Sequence, residues 1–357
     1  MRLLILLISL LTFNSILAQN SYRFLVAGHV YGAAGVNNAA FHPPFQTTLD
    51  SLSASKSVDF GFFTGDIVSP NPTAQDWDEV DSVLNLIDFP IDFVAGNHDY
   101  ENIEEYTARY GDTYYMKKYG NDLFIILDAN ISNWNIADEQ LDSVKSYLNN
   151  YPEVDNIFCF VHQIIWYESD GKHSNHTPNS LVGFQDSTNF WSELIPLFGN
   201  TAKPCYFFAG DVGVFDFTTS IAYQRFSNIH LICSGMGGAQ DENCIIVSVN
   251  ENKLVEFDVI CLNEDATNCP NDIRKLLPVT GSIVFPNPVT NELVIEIDHS
   301  KQTSIQLYDS NGKSLFDGLF SDVTLAKINV STLQSGTYIL VISDGEHLSR
   351  EKVVVTH

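Results

Sequence analysis

The chain is short of positive charge: its 357 residues hold 18 Lys and Arg against 44 Asp and Glu, a formal net charge of −26. Nucleic-acid affinity rests mainly on Lys and Arg neutralising phosphates, so no nucleic acid is expected as a partner. So acidic a chain suits a soluble extracellular protein, though net charge says nothing of fold. None of the six cysteines stands in a CxxC pair, which removes zinc-ribbon and thioredoxin-like readings. After residue 18 no apolar run reaches the ~20 residues that span a bilayer, so no transmembrane segment is expected. The Gly-rich run from Ile229 to Gly238 lacks the Lys and Ser/Thr of a phosphate-binding loop and reads as a tight turn.

What is present is a leader, a large mixed region and a small β region. Residues 1–18, MRLLILLISLLTFNSILA, carry an early Arg2, an apolar run and a small residue at Ala18. That pattern predicts a secretory signal peptide cut after Ala18. Export permits disulfides, and Cys261 and Cys269 are spaced for a short loop. Cys159, Cys205 and Cys233 lie in apolar strand-like runs, where buried thiols and half-cystines are equally open.

Residues 19–262 form one domain by pattern. Apolar runs such as RFLVAG, DFGFFTG, IDFVAG, LFIILD, NIFCFVH, CYFFAG and IHLICSG alternate with helical stretches at Asp76–Ile87 and Asp138–Asn150. Apolar strands alternating with helices predict an α/β fold whose sheets are covered. Residues 263–282, rich in Asn, Asp, Pro and Gly, read as a linker. Residues 283–357 show short alternating strands and predict a small β-sandwich without a chemical cluster.

Five strands of the first domain end on a residue able to bind a metal: His29, Asp66, the run Asn97-His98-Asp99, His162 and Asp211. Four of these follow a glycine. Each alone is an ordinary turn or a hydrogen-bonded structural residue. Strand ends that converge bring such side chains together, and imidazole, carboxylate and amide oxygen without thiolate suit Zn, Mn or Fe.

On the order Gly65-Asp66, Gly96-Asn97-His98-Asp99 and His162, the region from Tyr22 to Leu262 resembles the calcineurin-like metallophosphoesterases. The resemblance implies a four-layer α/β/β/α sandwich and a two-metal centre that hydrolyses phosphate mono- or diesters with a metal-activated water. It implies that Asp66 bridges both metals and that Asn97, His162 and Asp211 hold the second. His98 would hydrogen-bond the phosphate and help the leaving oxygen depart, with Asp99 orienting it. Two motifs depart from the family pattern. The first, normally Asp-x-His, is His29-Val30-Tyr31; the last, normally Gly-His-x-His, is Gly210-Asp211-Val212-Gly213. The first metal therefore keeps Asp66 and His29, with Tyr31 either binding it or merely facing it. His173, His176 and Asp216 could enter from loops but read better as solvated. One or two divalent or trivalent ions (Mn, Fe or Zn) per chain are implied.

The C-terminal segments FPNPVTNELVIEI and SGTYILVIS, with Lys352 near the end, resemble a type IX secretion sorting domain. That implies contact with secretion machinery and a secreted or cell-surface location. The expected function is a secreted metal-dependent phosphoesterase acting on a small phosphate ester. The alternative is a catalytically impaired surface binding protein on the same fold, with one or no metal.

Overall fold

Strand Tyr22–Ala27 (β1) shows how the core is divided: Phe24 and Val26 enter one hydrophobic layer, Leu25 and Ala27 another, and all four are buried. A strand apolar on both faces must be covered on both. The computed structural model describes residues 21–33, 41–169, 176–215, 219–263, 269–270, 283–285, 287–297, 302–309, 312–321, 323, 325–343 and 348–357. The signal peptide and most of the linker anticipated above lie outside the described residues.

Beside β1 in the first sheet run two parallel strands, Phe60–Thr64 (β2) and Ile91–Val94 (β3). The second sheet holds Tyr115–Tyr119 (β4), Asp122–Ile126 (β5), Ile157–Val161 (β6), Cys205–Ala209 (β7), Ile221–Phe226 (β8) and Ile229–Ser234 (β9), in the order β4-β5-β6-β7-β9-β8. Strands β5, β6, β7 and β9 are parallel, while β4 and β8 add antiparallel edges. Asn243–Val249 (β10) and Val255–Cys261 (β11) return to the first sheet, β10 pairing antiparallel with β1.

Helices Pro43–Ser55 (α1), Ala74–Leu84 (α2) and Ile103–Tyr110 (α3) pack Phe45, Leu49, Trp77 and Tyr106 with Leu25 and Phe63 of the first sheet. Asp138–Asn150 (α4) and Ile195–Gly199 (α5) bring Val144 and Phe198 against Ile125, Cys159 and Phe207 of the second. Between the sheets lies an aromatic layer, in which Phe62 and Phe160 stack with centroids 3.8 Å apart. Each such phenylalanine contributes about 2–3 kcal/mol by leaving water. The layers are helix, sheet, sheet, helix.

Every parallel strand was legible as an apolar run. The structure adds β4, β8, β10 and β11, which the apolar-run pattern passed over: β4 is interrupted by the adjacent pair Lys117-Lys118, and the others extend sheets as antiparallel neighbours. Helix α2 starts two residues before the predicted Asp76, where Thr73 donates its main-chain N–H to Asp76 Oδ2 at 2.6 Å, and stops at Leu84. Cys261 and Cys269 form the anticipated disulfide; Cys159, Cys205, Cys233 and Cys244 are buried free thiols.

The C-terminal region is all β and antiparallel. Ile283–Phe285 (β12), Glu292–Glu296 (β13) and Leu325–Asn329 (β16) make one sheet. Thr303–Tyr308 (β14), Ser314–Phe320 (β15), Gly336–Ser343 (β17) and Leu348–Val355 (β18) make the other, in the order β15-β14-β17-β18. Leu293, Ile305, Leu307, Ile328, Leu340 and Val353 fill the space between. Asn287, from the quoted FPNP stretch, donates its side-chain amide to Lys352 O at 2.6 Å and accepts from Val354 N at 2.8 Å. The amide thus pairs like a peptide unit with β18, which connects the two ends of the sequence motif.

Candidate metal centre

The carboxyl ends of β1, β2 and β3 in one sheet meet those of β6 and β7 in the other. At the junction Gly28 faces Gly210 so closely that a Cβ on Gly28 would stand 2.4 Å from the Gly210 Cα. Only glycine on both strands allows that approach. Main-chain bonds then lock the loops: His29 N to Gly65 O at 3.1 Å, and Gly210 N and Asp211 N both to His162 O at 3.0 Å. His29 and Asp66 both sit in the left-handed region, at φ 55° and 49°. That costs of order 1 kcal/mol each and turns their side chains back over the strand ends.

Asp66 occupies the centre. Its Oδ2 lies 3.4 Å from His29 Nε2 and 3.4 Å from His98 Nδ1; its Oδ1 lies 3.3 Å from His162 Nε2 and accepts from His98 N at 3.1 Å. His162 Nε2 is also 3.2 Å from Asn97 Oδ1 and 3.9 Å from Asp211 Oδ1. His162 Nδ1 donates to Thr64 O at 2.9 Å, which fixes the ring and turns Nε2 toward the cluster. That ring lies against Gly65, where a Cβ would come within 2.4 Å of Nδ1. The sequence-predicted residues His29, Asp66, Asn97, His98, His162 and Asp211 are therefore brought together. Tyr31 is buried beside them, its ring 4.6 Å from His29 and 5.3 Å from His98, centroid to centroid.

The electrostatics follow from burial. Burial alone would raise the Asp66 carboxyl, but the imidazoles of His162, His29 and His98 outweigh it and hold that carboxyl well below the usual range. Burial would lower His162, yet the Asp66 carboxylate pushes it up to about 10. His29 falls to about 4, chiefly because it is buried, so its ring is neutral and able to ligate at neutral pH. Asp211 rises to about 8 through burial, opposed by His162 and reinforced by Asp66. Tyr31 is raised by burial and by the nearby carboxylates.

His29 Nδ1, His98 Nδ1 and both Asp211 carboxylate oxygens are buried without a hydrogen bond. Unsatisfied buried polar atoms are costly, and a cation beside Asp66 would give His98 Nδ1 and the Asp211 oxygens the partner they lack. The nitrogen and oxygen donors fit a borderline divalent or trivalent ion and include no thiolate. Among the described residues, His29, Asp66 and His98 offer ligand atoms all within 4.8 Å of one another.

Asp99 does something other than orient the His98 ring. It is fully buried, accepting Ile67 N at 2.9 Å and Val68 N at 3.3 Å on Oδ1 and Gly96 N at 2.8 Å on Oδ2. It fastens the loop after β2 to the loop after β3, so it acts on His98 and Asp66 through the main chain. Burial, then the charge of Asp66, raises it to about 7.

His173 and Asp216, weighed as entrants from loops, lie outside the described residues, and His176 is half-buried, outside the three-ligand group. Sequence reading missed the layer behind the centre. Gln163 donates to Asn130 Oδ1 at 2.6 Å, and Asn130 donates to Ala95 O at 3.0 Å, tying the His162 loop to the start of GNHD. His42 meets Glu242 at 3.1 Å, and Glu242 accepts Gly237 N at 2.8 Å. The Gly-rich run thus ends in a braced turn, as its missing Lys suggested. Gln163 follows His162 directly, which was the one signal available; His42 and Glu242 are 200 residues apart and gave none.

The strand order, the layers and this cluster define a metallophosphoesterase fold. The profile of the calcineurin-like phosphoesterases matches residues 38–235, and the chain belongs to that family. The profile of the secretion system C-terminal sorting domain matches residues 283–356. Among solved structures, the chain is similar to the purple acid phosphatase PPD1 from yellow lupin (Lupinus luteus) seeds, with 14% identity and a TM-score of 0.52. That likeness covers 73% of this chain and 55% of the lupin chain, so little more than half of the lupin enzyme is represented. A second similar structure, TT1561 of Thermus thermophilus, has 8% identity and a TM-score of 0.38, covering 68% of this chain and all of that one. No curated protein matches the sequence. The type IX sorting domain marks the chain for export, and among the described residues no helix is long and apolar enough to cross a membrane.

Proposed function

We propose that residues 19–262 form a secreted metal-dependent phosphoesterase acting on small phosphate mono- or diesters, delivered to the cell exterior by residues 283–357 acting on the secretion machinery. The observation that supports it is the placement of Asp66, whose two carboxylate oxygens face two different sets of donors. On one side Asn97, His162 and Asp211 would hold one ion; on the other His29, with Tyr31 beside it, would hold the second. When bound, such ions draw charge from the phosphoryl oxygens and lower the pKa of water.

The chain's own residues supply the rest. Thr64 O holds the His162 tautomer through Nδ1. Asp99 is a positioning residue that keeps the two loops at one spacing. His98, partly exposed, donates a hydrogen bond to the phosphoryl group and stabilises the negative charge that builds there. The buried aromatic layer beneath gives the floor a low dielectric, which strengthens each of these interactions.

The test is metal analysis of the purified full chain with p-nitrophenyl phosphate and bis-p-nitrophenyl phosphate as substrates. Bound transition metal, and hydrolysis lost in Asp66→Ala, is the expected result; no hydrolysis with Zn, Mn or Fe supplied, or activity unchanged in Asp66→Ala, overturns it. The second reading, a surface binding protein with one or no metal, draws on the replacement of the family's first Asp-x-His by His29-Val30-Tyr31 and of its last Gly-His-x-His by Gly210-Asp211-Val212-Gly213.

A further inference from the structure

We propose that His98 is itself a metal ligand: its Nδ1, with His29 Nε2 and Asp66 Oδ2, forms a cation site on the first-motif side. The proposal rests on reading the cluster as a metal centre and changes the part His98 plays in it.

Three observations converge. His29 Nε2 and His98 Nδ1 each stand 3.4 Å from the same oxygen, Asp66 Oδ2, and the three atoms fall within 4.8 Å of one another. A hydrogen bond would draw each pair to about 2.7–3.2 Å. Donors sharing one tetrahedral ion at about 2.1 Å lie about 3.4 Å apart, the spacing found in the two pairs that meet at Asp66 Oδ2. Second, His98 Nδ1 is buried and makes no hydrogen bond. An imidazole serving only the substrate needs some group to orient it, and the adjacent carboxylate is engaged elsewhere, since Asp99 binds the amides of Ile67, Val68 and Gly96. Third, this side is short of ligands: where the family's last motif ends in His, this chain has Gly213, whose site offers no side chain. His98 fills that shortage from the loop after β3, and the Tyr31 ring packs against both imidazoles.

A ring bound through Nδ1 keeps its proton on Nε2. His98 then serves the phosphoryl group as a fixed hydrogen-bond donor and does not surrender the proton to the leaving oxygen.

The experiment is a Co²⁺ titration of the chelator-stripped full chain, read by calorimetric stoichiometry and by visible absorption. Two ions per chain are expected for the wild type. His29→Ala and His98→Ala should each lose the same ion and the same bands, or bind it more than about 100-fold more weakly; His162→Ala should lose the other ion. His98→Gln, which preserves bulk without an imidazole, repeats the test, and unchanged metal-free melting shows that the variants fold. Two ions at unchanged affinity in both His98 variants overturn the proposal, as does a single wild-type ion that survives His98→Ala. A chain that behaves as expected in Co²⁺ binding yet hydrolyses no phosphate ester defeats the phosphoesterase reading and leaves this one standing.

Discussion

The two oxygens of Asp66 face different surroundings. On the Oδ1 side stand His162 and Asn97 with Asp211 behind them, each on a motif of the family pattern or one substitution from it. On the Oδ2 side stand His29 and His98, with Tyr31 packed over them, where the first motif has been rewritten. The Oδ1 side holds two carboxyl groups, Asp66 and Asp211, around an imidazole raised to about 10. The Oδ2 side holds a neutral imidazole lowered to about 4. A cation gains more from two carboxylates than from one, so the Oδ1 side is expected to be the tighter site in a metal titration. The difference teaches that a carboxylate on the last motif in place of one on the first puts the acidic group on the Oδ1 side, while Gly213 leaves the Oδ2 side a donor short of the family pattern.

Replacing the shared residue should have the largest effect. Asp66→Asn is expected to weaken both sides and reduce hydrolysis of p-nitrophenyl phosphate about 10³-fold, equivalent to about 4 kcal/mol of barrier. Metal content measured on the same sample should fall on both sides; loss on one side alone would show that Asp66 does not bridge.

Asp99→Asn is expected to act next. It exchanges a carboxyl group that accepts three main-chain amides on two oxygens for an amide with one acceptor oxygen, and a buried N–H left unsatisfied costs about 1–3 kcal/mol. Urea denaturation should show a loss of about 2 kcal/mol, and kcat should fall more than KM rises. Because Asp99 grips the loops of both sides, both ions should weaken together, which separates it from Asp211.

Asp211→Asn sharpens the asymmetry by splitting function from stability. Asp211 is raised to about 8 when folded, so its contribution is fully present below the ordinary carboxylate pKa and is lost as pH rises through 8. The metal-free wild type should therefore lose stability between about pH 4 and pH 8 through this group. The variant should lack that component and melt about 5 °C higher at pH 8 without metal, while binding one ion fewer. A metal-free melting point that falls instead would mean that Asp211 is a structural acceptor.

The smallest effect is expected at the brace beneath the first-motif loop. His42→Gln removes the contact to Glu242 and should weaken the Oδ2-side ion about 10-fold while leaving the Oδ1-side ion alone. Co²⁺ titration reads both.

Most of the fold was legible because parallel strands buried on both faces must be continuously apolar, as FLVA, FGFFT and IFCFV are. Strand β4 escaped because the adjacent lysines Lys117 and Lys118 break its apolar run. The candidate site was legible to the level of residues, since GD, GNHD and a lone His after a strand carry their own order. The orientation of Asp99 was not, because a carboxylate next to His98 in sequence has its oxygens directed by the fold to main-chain amides contributed from 31 and 32 residues away.

By itself the sequence determined the layers, the two regions and the identity of the converging side chains, because periodicity and glycine placement are local properties. Only the tertiary structure decided which donors share which oxygen of Asp66, that Asp99 braces loops, and that His98 Nδ1 is left without a hydrogen bond. Those outcomes depend on distances of a few ångströms between strand ends drawn from two sheets, and no spacing along the chain encodes them.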